Sequence, residues 1–297
     1  MKLLESVDVR TLTRADVPQM ARLMNSHYAR QRKESYFHWQ YFASAYPTAV
    51  AGAFDGETLI GMFGLQKRRL TGGAKAGQAI DMIVDPAWRG RGLFKALGEK
   101  AAEAFSDLDL FCVLPNSAGR AAVEKHFQWM TLTKINTWRL SRVAKRQTQE
   151  GQARQREMNQ LEAFVYEPET LDWRFDRHPE FTYRRITSGA DSSAMVKVFT
   201  DKTAGKTYGD IVNFYCADDR GLGPLLGQAC EYLFSQKVDA VMTWAMPHDY
   251  AAHMLPTLGF TEEQQERYFC VKVLNSDYQH LTQFSRWRLV QSDAEHF

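Results

Sequence analysis

Ala79–Phe105 reads AIDMIVDPAWRGRGLFKALGEKAAEAF. Ile80, Met82 and Val84 alternate with Asp81, Ile83 and Asp85, the period of two expected of a strand. Asp85-Pro86 ends that strand, because proline has no N–H to give a ladder. Beyond Arg89-Gly90-Arg91-Gly92, the residues Phe94, Leu97, Ala101 and Phe105 recur at steps of three and four, one face of a helix. A helix that starts within or just after the glycines leaves its first backbone N–H groups without partners. The positive end of its dipole points the same way, which makes an anion site suited to phosphate. The glycines let the main chain come close, and Arg89 and Arg91 add charge. A tight turn with no ligand would carry the same glycines, so the flanking sequence has to decide.

Working outward, Val7–Leu12 alternates as a first strand. Thr13 then caps a helix, with Asp16 three residues on in a capping-box arrangement and Met20, Leu23 and Met24 on the apolar face. Glu34–Tyr46, ESYFHWQYFASAY, holds seven residues that are aromatic or histidine. It reads either as a short helix packed into the core or as an aromatic wall for a ligand. Ala49–Phe54 and Leu59–Leu65 form a hairpin about Asp55-Gly56. Thr71-Gly72-Gly73 turns the chain into the opening stretch. After the long helix, Asp109–Leu114 is a short apolar run ended by Pro115-Asn116, a buried parallel strand. Asn116 is both an N-cap candidate for a helix over Ser117–His126 and a residue at the carboxyl end of a parallel strand, where α/β sheets bind ligands. Trp129–Leu140 supplies closing strands.

The run V-x-P-x-x-R-G-x-G-L, between a strand and an alanine-rich amphipathic helix, resembles the acetyl-coenzyme A motif of the GNAT-type N-acetyltransferases. The family signature Arg/Gln-x-x-Gly-x-Gly/Ala falls on Arg89, Gly92 and Phe94, with Phe94 in place of the small residue. The resemblance implies a mixed α/β fold and acyl transfer from acetyl-coenzyme A to a primary amine. Met82, Ile83 and Val84 would hold the pantetheine by their backbone. Arg89, Gly90, Arg91, Gly92, Leu93 and Phe94 would hold the pyrophosphate, and Asn116 would contact the coenzyme. The segment after the first helix borders the acceptor cleft in that family, which nominates Tyr36, His38, Trp39 and Tyr41 as substrate-binding residues and favours an amino sugar or another small amine. Asp81, on the coenzyme strand, is the candidate general base, with His27, Glu34 and His38 behind it. Val123 stands where the family carries the tyrosine that protonates the leaving thiolate, and Gln128-Trp129 stands in place of its Gly-Phe. These substitutions leave the general acid open.

The second half repeats the first in outline. Asp219-Arg220-Gly221-Leu222-Gly223 echoes Trp88–Gly92, a helical run Leu225–Phe234 follows, and the short strand Ala240–Trp244 precedes Pro247. Arg89 to Trp129 spans the same 40 residues as Arg220 to Phe260. Tyr183–Ile186 and Met195–Phe199 read as early strands, and Tyr268–Leu274 as a closing one. Pro224 removes a phosphate-facing N–H, and Asp218 and Asp219 repel a pyrophosphate, so the first half is expected to bind the coenzyme. The expected fold is α/β, a mixed twisted sheet flanked by helices in two tandem units. The expected domains are residues 1–141, a polar linker 142–165 and a degenerate unit 166–297.

Bulk properties narrow the alternatives. Of 297 residues, 44% are hydrophobic and 24% charged, values of a globular chain. A net charge of +2 gives no case for nucleic acid as a partner. No apolar run is long enough to span a bilayer, and Met1–Leu12 lacks the apolar core of a secretory leader. Cys112, Cys216, Cys230 and Cys270 lie apart in apolar settings with no metal-ligand spacing, which predicts reduced buried thiols, no metal and a cytoplasmic protein. A homodimer is left open. Two other readings compete with the enzyme: a coenzyme A-binding sensor or scaffold without catalysis, and an ATP site. The second lacks the Lys-Ser/Thr that a P-loop needs after its glycines.

Overall fold

A computed structural model describes residues 7–141, 161–189, 191–201, 204–216 and 219–295. The chain divides into two compact units that are not contiguous in sequence. The first comprises Met1–Thr133, Val165–Glu180 and Arg267–Thr282, and the second Lys134–Phe164, Phe181–Glu266 and Gln283–Phe297. The boundaries therefore differ from the contiguous 1–141 and 166–297 expected from sequence. Most of the expected linker, 142–160, lies outside the described residues.

The first unit opens with β1 (Val7–Thr11), a 3-10 turn (Arg14–Asp16) and α1 (Val17–His27). Thr13 caps the turn as expected, and the Asp16 carboxylate accepts hydrogen bonds from the Thr13 backbone N–H and hydroxyl. Val17, Met20, Ala21, Leu23 and Met24 are the buried stripe of α1. Arg10 grips Asp16 with both terminal nitrogens, at 2.9 and 2.6 Å. That bidentate bond is the largest cause holding the Asp16 carboxyl down at about 2. A carboxyl depressed in the folded state adds stability that is complete above its unfolded value, roughly pH 4, and is lost as pH falls toward about 2. Arg10→Ala is expected to cost about 1–2 kcal/mol at neutral pH and to flatten the pH dependence in that window, read from urea midpoints.

Next come α2 (Glu34–Phe37), which continues as a π-helical turn over His38–Phe42, and the strands β2 (Thr48–Asp55), β3 (Thr58–Arg69) and β4 (Lys75–Val84). Gly56 takes φ +56° in the hairpin turn, as Asp55-Gly56 foretold. α3 (Leu93–Ala102), β5 (Leu110–Val113) and α4 (Ser117–Phe127) follow. The sheet of this unit runs β1-β2-β3-β4-β5 and is closed by the last residues of β11 (Thr261–Val273), antiparallel to β5 through Cys270↔Val113. Only β4 and β5 are parallel here. One face carries Leu12, Met20, Phe37, Met62 and Ile80 under α1 and α2. The other carries Phe63, Leu65, Val84, Leu97 and Val123 under α3 and α4.

In the second unit, β7 (Tyr183–Thr187), β8 (Ser192–Asp201) and β9 (Lys206–Cys216) form a meander, and β10 (Ala240–Trp244) runs parallel to β9. β6 (Met130–Ser141) lies antiparallel to β10, and α6 (Asp219–Ser235) covers the core of Leu222, Leu226, Ala229 and Val241. The strand expected to close the first half thus completes the second unit's sheet, and the strand expected to close the second half completes the first unit's. Alternation marks both as strands and is silent about their partners.

A second exchange escaped the sequence reading. α5 (Pro168–Leu171) continues into a π-helical turn Asp172–Asp176, the same construction as α2, yet it belongs to the first unit. Trp39 and Trp173 occupy matching places in the two turns and stack at 4.5 Å and 14°. Each indole N–H donates to the other residue's carbonyl, at 2.9 and 3.1 Å. The signal was present as Trp-polar-aromatic in both FHWQYF and LDWRFD. Trp173→Ala removes a fully buried ring and leaves the Trp39 N–H facing a remodelled turn. A loss of about 3–5 kcal/mol is expected in chemical denaturation.

Candidate active site

β4 carries the site. Its pairing with β5 covers only Ala76–Gln78 against Leu110–Cys112, because β5 is short and ends at Pro115. The flanking edge of Ala79–Val84 extends beyond that ladder. On its other edge the ladder to β3 steps from Met62↔Ile83 to Gly64↔Ile80, so Asp81 and Met82 together oppose Phe63. This is a β-bulge, which takes backbone groups out of the ladder and re-aims side chains. Asp81 adopts φ +45°, a left-handed conformation that costs a non-glycine residue energy and is concentrated at functional positions.

Asp81 is buried, 6% exposed. Its Oδ2 accepts a hydrogen bond from the Tyr41 hydroxyl at 2.7 Å. Its Oδ1 is buried and has no hydrogen-bond partner among the described residues. Burial, then the Asp81 charge, pushes the Tyr41 hydroxyl well above its ordinary range, so it stays protonated and donates. Tyr41 reaches this place over a glycine. A Cβ at Gly64 would stand 2.9 Å from the Tyr41 ring and 2.8 Å from Ile80.

The glycine turn has the expected form. Asp85 accepts from the Ala87 N–H at 2.8 Å and starts a 3-10 turn over Pro86–Trp88. Gly90 and Gly92 take φ +76° and +84°, and a Cβ at either would meet nothing within 4 Å. α3 begins at Leu93 with Gly92 as N-cap and no side chain capping it, so its first N–H groups face outward. Arg89 donates from Nε to the Val84 carbonyl at 3.0 Å. Arg91 donates to the Ala87 carbonyl at 3.1 Å and lies over the Trp88 ring. Phe94 points away from the turn and packs between Phe63 and Phe127, at 5.6 and 5.5 Å, with His126 beside it. Its bulk is absorbed by the core beneath α3.

Asn116 caps α4, accepting from the Gly119 N–H at 2.9 Å. Val123 is fully buried, so the place of the family's tyrosine is a packing position. A phenol that the sequence reading passed over stands near this strand end. Tyr268 on β11 donates its N–H to the Pro115 carbonyl, and the Arg120 guanidinium lies 4.3 Å over its ring.

The four aromatic-segment candidates separate. Tyr41 spends its hydroxyl on Asp81. Trp39 is enclosed by Trp173, Tyr36 and His178, the last at 4.4 Å, so its ring serves packing. Tyr36 is buried under the Arg32 guanidinium, 3.7 Å from its ring centre. His38 is exposed. Of the lesser base candidates, Glu34 is exposed and His27 lies 3.4 Å from Asp85, not beside Asp81.

The second unit keeps the bulge and loses the rest. Its ladder steps from Met195↔Asn213 to Val196↔Ile211, which puts Val212 in the bulge, eight residues before Arg220 as Asp81 is eight before Arg89. No carboxyl is available at Val212. Gly221 and Gly223, expected in a turn, lie inside α6, and Pro224 is accommodated within its first turns. Gly223 is a packing glycine, since a Cβ there would sit 3.3 Å from Met254 Sδ. Asp218 lies outside the described residues. The C-terminal segment is bonded along β9: Asn213 donates to the Ser292 hydroxyl and Arg288 to the Phe214 carbonyl. All four cysteines are free and buried, and burial pushes the Cys270 thiol up to about 11. No cluster of three or more metal-type ligands and no helix long and apolar enough to cross a membrane occurs among the described residues.

Residues 8–117 match the family described as acetyltransferase (GNAT) domain. No protein of curated function matches the chain. Among solved structures, the chain is similar to a putative acetyltransferase from Pyrococcus horikoshii (11% identity, 96% of this chain and 93% of that one, TM-score 0.55). It is also similar to a protein from Enterococcus faecalis described as a probable N-acyltransferase (12% identity, 90% and 72%, TM-score 0.60). A glucosamine N-acetyltransferase region of a fungal multi-domain beta-N-acetylglucosaminidase matches 89% of this chain and 38% of that one (12% identity, TM-score 0.58). These likenesses support the same mixed α/β architecture as the family match.

Proposed function

We propose, for a chain whose residues 8–117 match the acetyltransferase (GNAT) domain family, transfer of an acetyl group from acetyl-coenzyme A to the primary amine of a small molecule, with the first unit as the catalytic one. The observation that carries the reading is the Asp81 carboxylate. It is buried, has one unpaired oxygen, and is set in a left-handed bulge on the strand that runs into the glycine turn. In the proposed arrangement the N–H groups from Gly90 to Phe94 receive the pyrophosphate, and the α3 dipole adds to their attraction. The open edge of Met82–Val84 takes the pantetheine and polarises the thioester carbonyl. Asn116 borders the coenzyme while it caps α4.

Asp81 Oδ1 takes a proton from the acceptor's ammonium. The freed amine attacks the acetyl carbon, the tetrahedral adduct collapses, and the carbon–sulfur bond breaks. The thiolate of coenzyme A is a weak enough base to leave; it takes, through water, the proton that the nitrogen sheds as the amide forms, and Asp81 returns its own proton to solvent. The α2 turn borders the acceptor, with the exposed His38 at its outer side. An amino sugar is the favoured acceptor, since one structural neighbour of the same fold is a glucosamine N-acetyltransferase region.

Thiol release from acetyl-coenzyme A, measured over a panel of amines that includes glucosamine, polyamines and amino acids, tests this. Turnover with an amino sugar above the other classes is expected. Tight coenzyme binding with no thiol release from any amine would support the sensor reading instead, which the buried Val123 in the acid position favours.

A further inference from the structure

Tyr41 was nominated as a residue of the acceptor wall, and its geometry assigns it elsewhere. Its hydroxyl is wholly engaged with Asp81 Oδ2 at 2.7 Å. Three separate features bring the two together. The π-helical turn His38–Phe42 is closed by the Ala43 N–H on the His38 carbonyl and widens the helix where Tyr41 leaves it. Gly64 clears the path of the ring across β3. The bulge and the left-handed Asp81 turn the carboxylate toward the phenol. Two strained or unusual backbone conformations and a side-chain-free position therefore meet at one hydrogen bond, and the carboxylate is left with one oxygen bonded and one not.

We infer that Tyr41 is a positioning residue for acetyl transfer, fixing the Asp81 carboxylate so that Oδ1 alone receives the acceptor's proton. The inference rests on the reading of Asp81 as base and adds the group that sets its orientation and basicity. A hydrogen bond donated to the ionised form of a carboxylate favours that form, and the phenol occupies Oδ2, which leaves Oδ1 as the oxygen that receives the proton. Proton transfer then places the proton on Oδ1, and the Tyr41 proton stays on its own oxygen throughout. The other ionisable groups that act on Tyr41 are Arg32, ahead of α2, and Tyr36 on α2. β3 contributes none at this point, because Gly64 is the residue beneath the Tyr41 ring. Arg32 and Tyr36 are both present in every variant below, so they do not confound the comparison.

The test is the acid limb of the pH profile of kcat/KM, with acetyl-coenzyme A and the best amine of the panel. Tyr41→Phe removes the donor and is expected to move the limb upward by roughly one pH unit. Incorporation of 2,3-difluorotyrosine at position 41 strengthens the donor and is expected to move it downward; this replacement keeps the ring and hydroxyl, and serves if Tyr41→Phe does not fold. Opposite shifts support the inference. An acid limb that stays in place in both, whatever happens to the rate, reduces Tyr41 to a packing residue and overturns it. Asp81→Asn is measured alongside. If its acid limb and rate persist, the base reading itself fails and the positioning role falls with it. If Asp81→Asn is inactive and the Tyr41 variants leave the limb unmoved, only the positioning role is lost.

Discussion

Gly92→Glu is expected to abolish acetyl-coenzyme A binding, weakening it by about 100-fold or more in isothermal titration. Two effects combine. At φ +84° any side chain forces a strained backbone, at a cost of about 1–2 kcal/mol. The added carboxylate then stands where a pyrophosphate must approach the α3 N-terminus, and like charges in a partly desolvated site repel strongly. A Cβ at Gly92 meets nothing within 4 Å, so the fold is expected to persist with only the local strain. The matched control is Gly223→Ala. Its new Cβ would press on Met254 inside the second unit, with a small loss of stability, and the coenzyme dissociation constant is expected to stay within about twofold. Comparable loss of binding in both variants would overturn the assignment of the coenzyme to the first unit.

Asp81→Asn is expected to lower kcat by about 10²–10⁴-fold, the usual worth of a general base, with acetyl-coenzyme A affinity retained. Asparagine preserves shape and can still accept from Tyr41, so the loss isolates basicity from packing. The measurement is steady-state thiol release with coenzyme affinity determined on the same preparation. A rate within about threefold of the parent across pH 6–9 would mean that positioning and a solvent-derived free amine are sufficient. The proposed base would then be a structural carboxylate.

The residues that made the glycine turn legible are those whose chemistry is local. Asp85-Pro86 stops a strand, Gly90 and Gly92 supply left-handed backbone, and Leu93 onward has helical period. Each of these works within a few residues, so their order on the page is their order in space. The same holds for the Thr13 cap, the Asp55-Gly56 turn and the Asn116 N-cap. Asp81 was legible as a carboxylate on the coenzyme strand, but its bulge, its left-handed φ and its bond to Tyr41 were not. A bulge arises from the register between two strands, and β3 gives no local sign of it beyond two glycines.

The repeat shows the same division. The motif echo at Arg220 was visible, and it was misleading in detail. Gly221 and Gly223 read like Gly90 and Gly92, yet they lie inside α6, where Gly223 serves close packing on Met254. Neighbours distant in sequence decide between a turn glycine and a packing glycine.

Sequence alone determined the elements, the strand-turn-helix proposed to receive the coenzyme's pyrophosphate, the capping residues and the existence of two related halves. Tertiary structure alone decided which strand closes which unit, that Trp39 pairs with Trp173, and that the Tyr41 hydroxyl bonds Asp81. The reason is the range of the forces. Backbone conformation and capping are fixed by neighbours within a turn or two, so they are written in consecutive residues. Strand partnership, ring stacking and the loneliness of Asp81 Oδ1 depend on which distant surfaces exclude water together, and no local pattern carries that information.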